Sequence, residues 1–208
     1  MKKSFKLLSV ILILLLAVSA LSACGSRSVQ QSGKDAGGSQ TGDTGLSPAR
    51  QTVEFSVEGE TTTEEYAVFD SSILSIAYDD KTLSVDMPDT DDSEIVKFES
   101  GGMTDIDIEL TAQNTGDYKT AAEYARTAES KDNDVIQLSG LEDVAVNGYS
   151  GCYFSVSEND SFHEYYFIEY SGSNADIKYV VFEAEFNPEA VEGWVPRTGA
   201  MVNTINFK

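Results

Sequence analysis

"FHEYYFIEYSGSNADIKYVVFEAEF", Phe162 to Phe186, decides how this chain is read. Two runs rich in aromatic and β-branched residues flank Ser171-Gly172-Ser173-Asn174, a cluster of turn formers. The composition predicts two strands that pair antiparallel across a turn. The same signals recur on either side. In "DVAVNGYSGCYFSVS", Asn147-Gly148 separates two alternating arms, and this residue pair accepts the positive φ angles of a tight hairpin. Upstream, "TVEFSVEG" sets Val53, Phe55 and Val57 on one face, and "EEYAVF" follows. "SILSIAY" and "TLSVDMP" around "DDK" predict a hairpin with Leu74, Ile76 and Tyr78 on one arm and Leu83, Val85 and Met87 on the other. Pro88 ends that strand because proline donates no ladder hydrogen bond. "EIVKFES" and "TDIDIELT", around Gly101-Gly102, give another pair.

Helical spacing is confined to two places. In "TAAEYARTAES", Thr120 and Glu123 form a capping-box pattern, and Ala121, Tyr124, Ala125 and Ala128 make one stripe. Asn187 caps a second, "PEAVEGWVPRTGAMVNT", with Pro188 in the first turn and Pro196 expected to kink or split it. "TINFK" closes the chain as a strand. Strands, helix, strands, helix and a final strand predict an α+β fold, an antiparallel sheet with helices packed on its faces. "ILSIAYDDKTLSVDMP", the "AAEYA" helix, "VNGYSGCYF" and the closing "TINF" together resemble the PsbP-like fold over Ser71 to Lys208. That fold is shared by extrinsic photosystem proteins, a Ran-binding nuclear transport factor and many bacterial lipoproteins. The resemblance implies the same α+β architecture and, since the fold hosts unrelated functions, no particular activity.

The N-terminus has its own grammar. Lys2, Lys3 and Lys6 precede a continuous apolar run that ends at "LSAC". A basic start followed by such a run is the layout of a secretory signal. The run is at or just under the ~20 residues that cross a bilayer, and no basic stop-transfer flank follows it. By pattern alone, the alternatives are an ordinary cleaved signal and a single-span anchor. Leu21-Ser22-Ala23-Cys24 resembles the lipobox of bacterial lipoproteins. The resemblance implies cleavage between Ala23 and Cys24 and a diacylglycerol on the Cys24 sulfur, which would hold the chain at the cell membrane, facing the extracytoplasmic side. The organisation expected is a signal peptide over residues 1–23, a Gly/Ser/Gln-rich tether over 24–51 and one acidic domain over 52–208.

Charge narrows the choice of partner. The 208 residues hold 35 Asp plus Glu against 14 Lys plus Arg, a net charge of −21. Such a field repels phosphate backbones, which excludes nucleic acid and leaves a basic protein partner, divalent cations or solubility alone.

Catalysis has little to work with. His163 is the only histidine; with Phe162 and Glu164 beside it in a strand, it reads as a surface or edge-of-core residue. Cys152 is the one cysteine outside the lipobox, too few for a zinc set, and reads as a small core residue. "DIDIE" places Asp105, Asp107 and Glu109 on one strand face, opposite Ile106 and Ile108. Oxygen-rich faces suit Ca²⁺, as does the run Asp89, Asp91, Asp92 and Glu94. Neither these nor Asp132-Asn133-Asp134 fit the EF-hand pattern, and a solvated face is the alternative for each. Tyr165, Tyr170 and Tyr179 could present a platform to a sugar or peptide, or fill the core. Trp194, between Gly193 and Pro196, is the candidate for a surface ligand. The reading that collects these features is a lipid-anchored binding or assembly module without catalytic activity. The alternative is a receptor delivering a small molecule or sugar to a transporter.

Overall fold

The computed structural model describes residues 48–87, 93–100 and 105–208. The signal, Ala23, Cys24, most of the tether, Pro88, Asp89, Asp91, Asp92 and the Gly101-Gly102 turn lie outside these residues.

Strands begin two residues earlier than the sequence suggests. β1 (Arg50–Val57) pairs with β2 (Glu60–Asp70) through an unbroken eight-residue register, Arg50 opposite Ala67 and Val57 opposite Glu60. Glu58 and Gly59 join them at φ 52° and 84°, the left-handed pair that a two-residue hairpin requires. β3 (Leu74–Tyr78) lies on the other side of β2, and β12 (Asn206–Phe207) on the far side of β3. These four strands are the small sheet.

The large sheet has eight strands. Its order runs β4 (Leu83–Asp86), β5 (Glu94–Ser100), β6 (Ile106–Gln113), β11 (Tyr179–Phe186), β10 (Phe162–Glu169), β9 (Tyr149–Glu158), β7 (Val135–Leu138), with β8 (Glu142–Val146) also on β9. Every pairing is antiparallel. Asn147 and Gly148, at φ 47° and 87°, make the β8–β9 turn as the sequence predicts.

The architecture differs from the predicted one. It is mostly β, two antiparallel sheets with two short helices, and not an α+β fold with helices packed on a sheet, as pattern and resemblance implied. The physical reason is which surface covers which. Val53, Phe55, Tyr66, Leu74 and Ile76 of the small sheet share one core with Val96, Phe98, Ile108, Leu110 and Phe182 of the large one. Phe69 and Phe98 meet edge to face across the sheets at 6.1 Å. Apolar sheet surface is therefore buried mainly against the other sheet. The helices are accessories. α1 (Tyr118–Glu129) buries only Ala122 and Ala125, against β9 and β10, while Tyr124 is left 54% exposed. The buried stripe is thus rotated from the one predicted, and the cap is Asp117, whose side chain accepts from the Thr120 N–H at 3.0 Å. α2 (Val191–Val202) packs on β1, β3 and β11, burying Trp194, Thr198, Met201 and Val202.

Two further local expectations are corrected. β3 and β4 are not a hairpin: they belong to different sheets. The buried Asp79 turns the chain between them, accepting from the Lys81 N–H at 3.2 Å and the Thr82 hydroxyl at 2.9 Å. α2 also runs unbroken through Pro196. Arg197 donates a side-chain hydrogen bond to the Gly193 carbonyl at 3.0 Å, within the turn where proline offers no N–H.

Candidate functional site

Alternation along β6 and β11 divides apolar from acidic residues. Ile106, Ile108 and Leu110, with Phe182, Ala184 and Phe186, are buried on the inner face of the large sheet. Asp107, Glu109, Glu183 and Glu185 therefore point to its outer face. Register then aligns them into two rows. The first runs Lys97, Glu109, Glu183, Tyr165 across β5, β6, β11 and β10. The second runs Glu99, Asp107, Glu185, His163 across the same strands.

Five carboxylates thus share this patch with one lysine. Lys97 Nζ lies 2.5 Å from Glu99 Oε1 and 2.9 Å from Asp107 Oδ2, and its charge also favours the ionised form of Glu109, the residue opposite it. Burial raises the Glu109 carboxyl above its ordinary value, and Glu94 and Asp107 push the same way. Burial likewise raises Glu183, helped by Glu109, Glu129 and Glu185. Glu183 nevertheless keeps 33% of its side-chain surface exposed. Glu129, at the end of α1, is also raised by burial and accepts from Tyr165 Oη at 3.4 Å. His163 completes the edge of the patch: Ser161 Oγ is 2.9 Å from Nε2, and Nδ1 is 4.0 Å from Glu183 Oε1.

Asp107 and Glu109 were visible in the sequence as one strand's outer face; Asp105, just before β6, is exposed. Glu183 and Glu185 carried the same alternating signal in "FEAEF". What places them opposite Glu109 and Asp107 is a pairing between residues more than 70 positions apart. Among the described residues no group of three His, Cys, Asp or Glu side chains is arranged to hold a metal ion. Asp105, Asp107 and Glu109 are spread along one strand, about 6.6 Å between successive same-face positions.

On the inner face of β10 sits a second kind of carboxylate. Glu164 of β10 is fully buried and accepts hydrogen bonds from Thr198 Oγ1 of α2 and from Tyr153 Oη of β9 at 3.1 Å. Burial raises it to about 7, against the two donors that favour its charged form. With no exposed surface, it meets other parts of the protein and not a ligand from solution.

The remaining candidates are buried in packing. Tyr165, Tyr170 and Tyr179 are 3%, 9% and 7% exposed. Trp194 is buried beside Arg197, whose guanidinium lies 5.8 Å from its ring centre and 4.9 Å from that of Phe55. Cys152 is buried, its thiol 3.7 Å from Asp143 Oδ1. Burial and then the Asp143 charge raise the thiol, keeping it protonated and unreactive. Asp143 pairs with Lys119 at 2.8 Å beside a groove of about 230 Å³ that Tyr118, Tyr149 and Gly151 also line. No protein-family model matches the chain, and no curated protein matches it.

Proposed function

We propose that this chain is a lipid-anchored extracytoplasmic binding module, held at the cell membrane through Cys24, that engages a basic protein partner and does no chemistry on it. The observation that carries the reading is the pair of carboxylate rows, Glu109 opposite Glu183 and Asp107 opposite Glu185. Like charges directly across a strand pair cost stability, and here Lys97 alone offsets them within the rows. A cationic side chain arriving from a partner supplies the missing countercharge. The receptor alternative would draw on Tyr165, Tyr170, Tyr179 and Trp194, all at most 9% exposed, and no observation favours it over the module.

The anchor is tested by labelled palmitate: Cys24→Ala should lose all incorporation, and a labelled variant would sink that half of the proposal. The face is tested by calorimetric titration with decalysine. The double variant Glu109→Gln/Glu183→Gln should bind at least fivefold more weakly. Glu189→Gln/Glu192→Gln, which alters two exposed carboxylates away from both rows, should bind like the parent. Equal losses from both would mean that overall charge alone attracts the peptide.

A further inference from the structure

β1 is the exception among the sheet edges. Five strands flank the two sheets among the described residues. Four are short: β12 has two residues, β4 and β7 four each, β8 five. β1 has eight. Natural sheets protect their edges from stray pairing by shortness, proline, lysine or bulges. β1 has no proline, no lysine and no bulge in its register.

The direction of its free groups follows from the ladder. Ala49 O accepts from the Val68 N–H at 2.8 Å, and these residues stand opposite each other one step beyond the Arg50–Ala67 pair. In an antiparallel pair, hydrogen-bonded and non-bonded positions alternate. Gln51, Val53, Phe55 and Val57 therefore turn their N–H and C=O toward β2. Arg50, Thr52, Glu54 and Ser56 turn theirs away from it, and all four side chains are exposed.

We propose that the β1 edge is a strand-addition site, and that its occupant is an extended segment of a partner protein with basic residues at alternate positions. The charge of the hairpin selects that occupant. Residues 50–70 carry Glu54, Glu58, Glu60, Glu64, Glu65 and Asp70 against Arg50, which Asp80 already engages at 2.7 and 2.8 Å. Lys81 and Arg197 answer Glu64 and Lys208 answers Asp70, so the selecting charge is that of Glu54, Glu58 and Glu60. A lysine or arginine laid beside Glu54 on the added strand meets an opposite charge at cross-strand distance. A second copy of the chain, at −21, would bring like charge to the same edge. The proposal rests on the binding-module reading and gives it a place of main-chain contact, the mode in which backbone hydrogen bonds supply affinity and alternate side chains supply specificity.

The test uses the full chain in detergent. Hydrogen exchange should be fast at the amides of Thr52, Glu54 and Ser56 and slow at those of Val53, Phe55 and Val57. The peptide acetyl-(Lys-Val-Lys-Thr)₂-amide should slow the fast set. Two versions N-methylated at complementary alternate residues separate pairing from attraction: one should bind like the parent peptide and the other at least tenfold more weakly. Glu54→Pro, which removes an outward N–H together with the charge, should weaken the peptide to the same extent and more than Glu54→Gln, which removes the charge alone, while Glu109→Gln/Glu183→Gln leaves these effects in place. Equal binding of both methylated peptides overturns the proposal, as does protection of Thr52, Glu54 and Ser56 in the free chain, including in a dimer seen by sedimentation. Palmitate labelling that survives Cys24→Ala, or equal decalysine losses from both double variants, with the peptide effects intact, counts against the anchor or the acidic face and not against the β1 edge.

Discussion

Glu164 and Glu183 sit on neighbouring paired strands, and burial pushes both carboxyls upward. Their surroundings are opposite. Glu164 faces inward, where Thr198 and Tyr153 donate to it and burial is what raises it. Glu183 faces outward, where Glu109, Glu129 and Glu185 all raise it further and the Tyr165 hydroxyl alone opposes them. The protein has settled the inner carboxylate with its own hydroxyls, which tie α2 to the large sheet. It leaves the outer one short of positive charge, and that difference separates a structural carboxylate from one available to a partner.

The comparison can be broken by experiment. The largest effect belongs to pH. A carboxyl raised on folding contributes its stability in full below its ordinary value of 4.5 and loses it as pH rises through about 7. For Glu164 that span corresponds to roughly 3 kcal/mol, at 1.36 kcal/mol per pKa unit. Urea unfolding should therefore show a chain less stable at pH 8.5 than at pH 4.5, and Glu164→Gln should remove a measurable part of that slope, the rest belonging to Glu183, Glu109 and Glu129, which burial also raises. A variant with the parent's slope would show that Glu164 does not govern it. Next comes Thr198→Val, which takes one donor from the buried carboxylate and should cost about 1–3 kcal/mol at pH 8. If the loss is no greater at pH 8 than at pH 5, the hydrogen bond is not serving the charged form. On the outer face the sign reverses: Glu183→Gln should stabilise by about 0.2–1 kcal/mol at pH 8 by removing a like-charge pair. Destabilisation there would show that the carboxylates are already compensated. The smallest effect is that of Lys97→Met, a loss of about 0.5 kcal/mol that 0.5 M salt should largely erase, as expected of a partly exposed ion pair.

Local periodicity made much of this fold legible, and its limits are physical. Val53 with Phe55, the Asn147-Gly148 turn and the β10–β11 pair were all readable because each is determined within a few residues. The β3–β4 break was not, since Leu74–Tyr78 and Leu83–Met87 alternate as a hairpin would and only the partners of each arm, β2 and β12 against β5, separate them. β7 escaped notice because four residues, with only Val135 and Leu138 partly buried, carry no clear period. The two-sheet core was hidden for a related reason: alternation says that a strand has an apolar face but not whether a helix or another sheet covers it. Of the candidate site, Asp107 and Glu109 were legible as a face. Their acidic neighbours on β11 required the register, and Glu164 looked like an ordinary strand residue until α2 was seen to lie over it.

The β3–β12 pairing, Leu74 with Phe207, joins residues from nearly opposite ends of the folded part. Closing a loop of about 130 residues costs on the order of 4 kcal/mol in chain entropy before that rung returns anything. Tyr149, at the start of β9, accepts the Phe207 N–H at 3.2 Å, so the large sheet supplies part of what holds the last strand in place. Time enters the architecture at this point. A fold so rich in distant pairings belongs among the slower folders, in milliseconds to seconds, and its small sheet is complete only once Asn206 and Phe207 have reached β3.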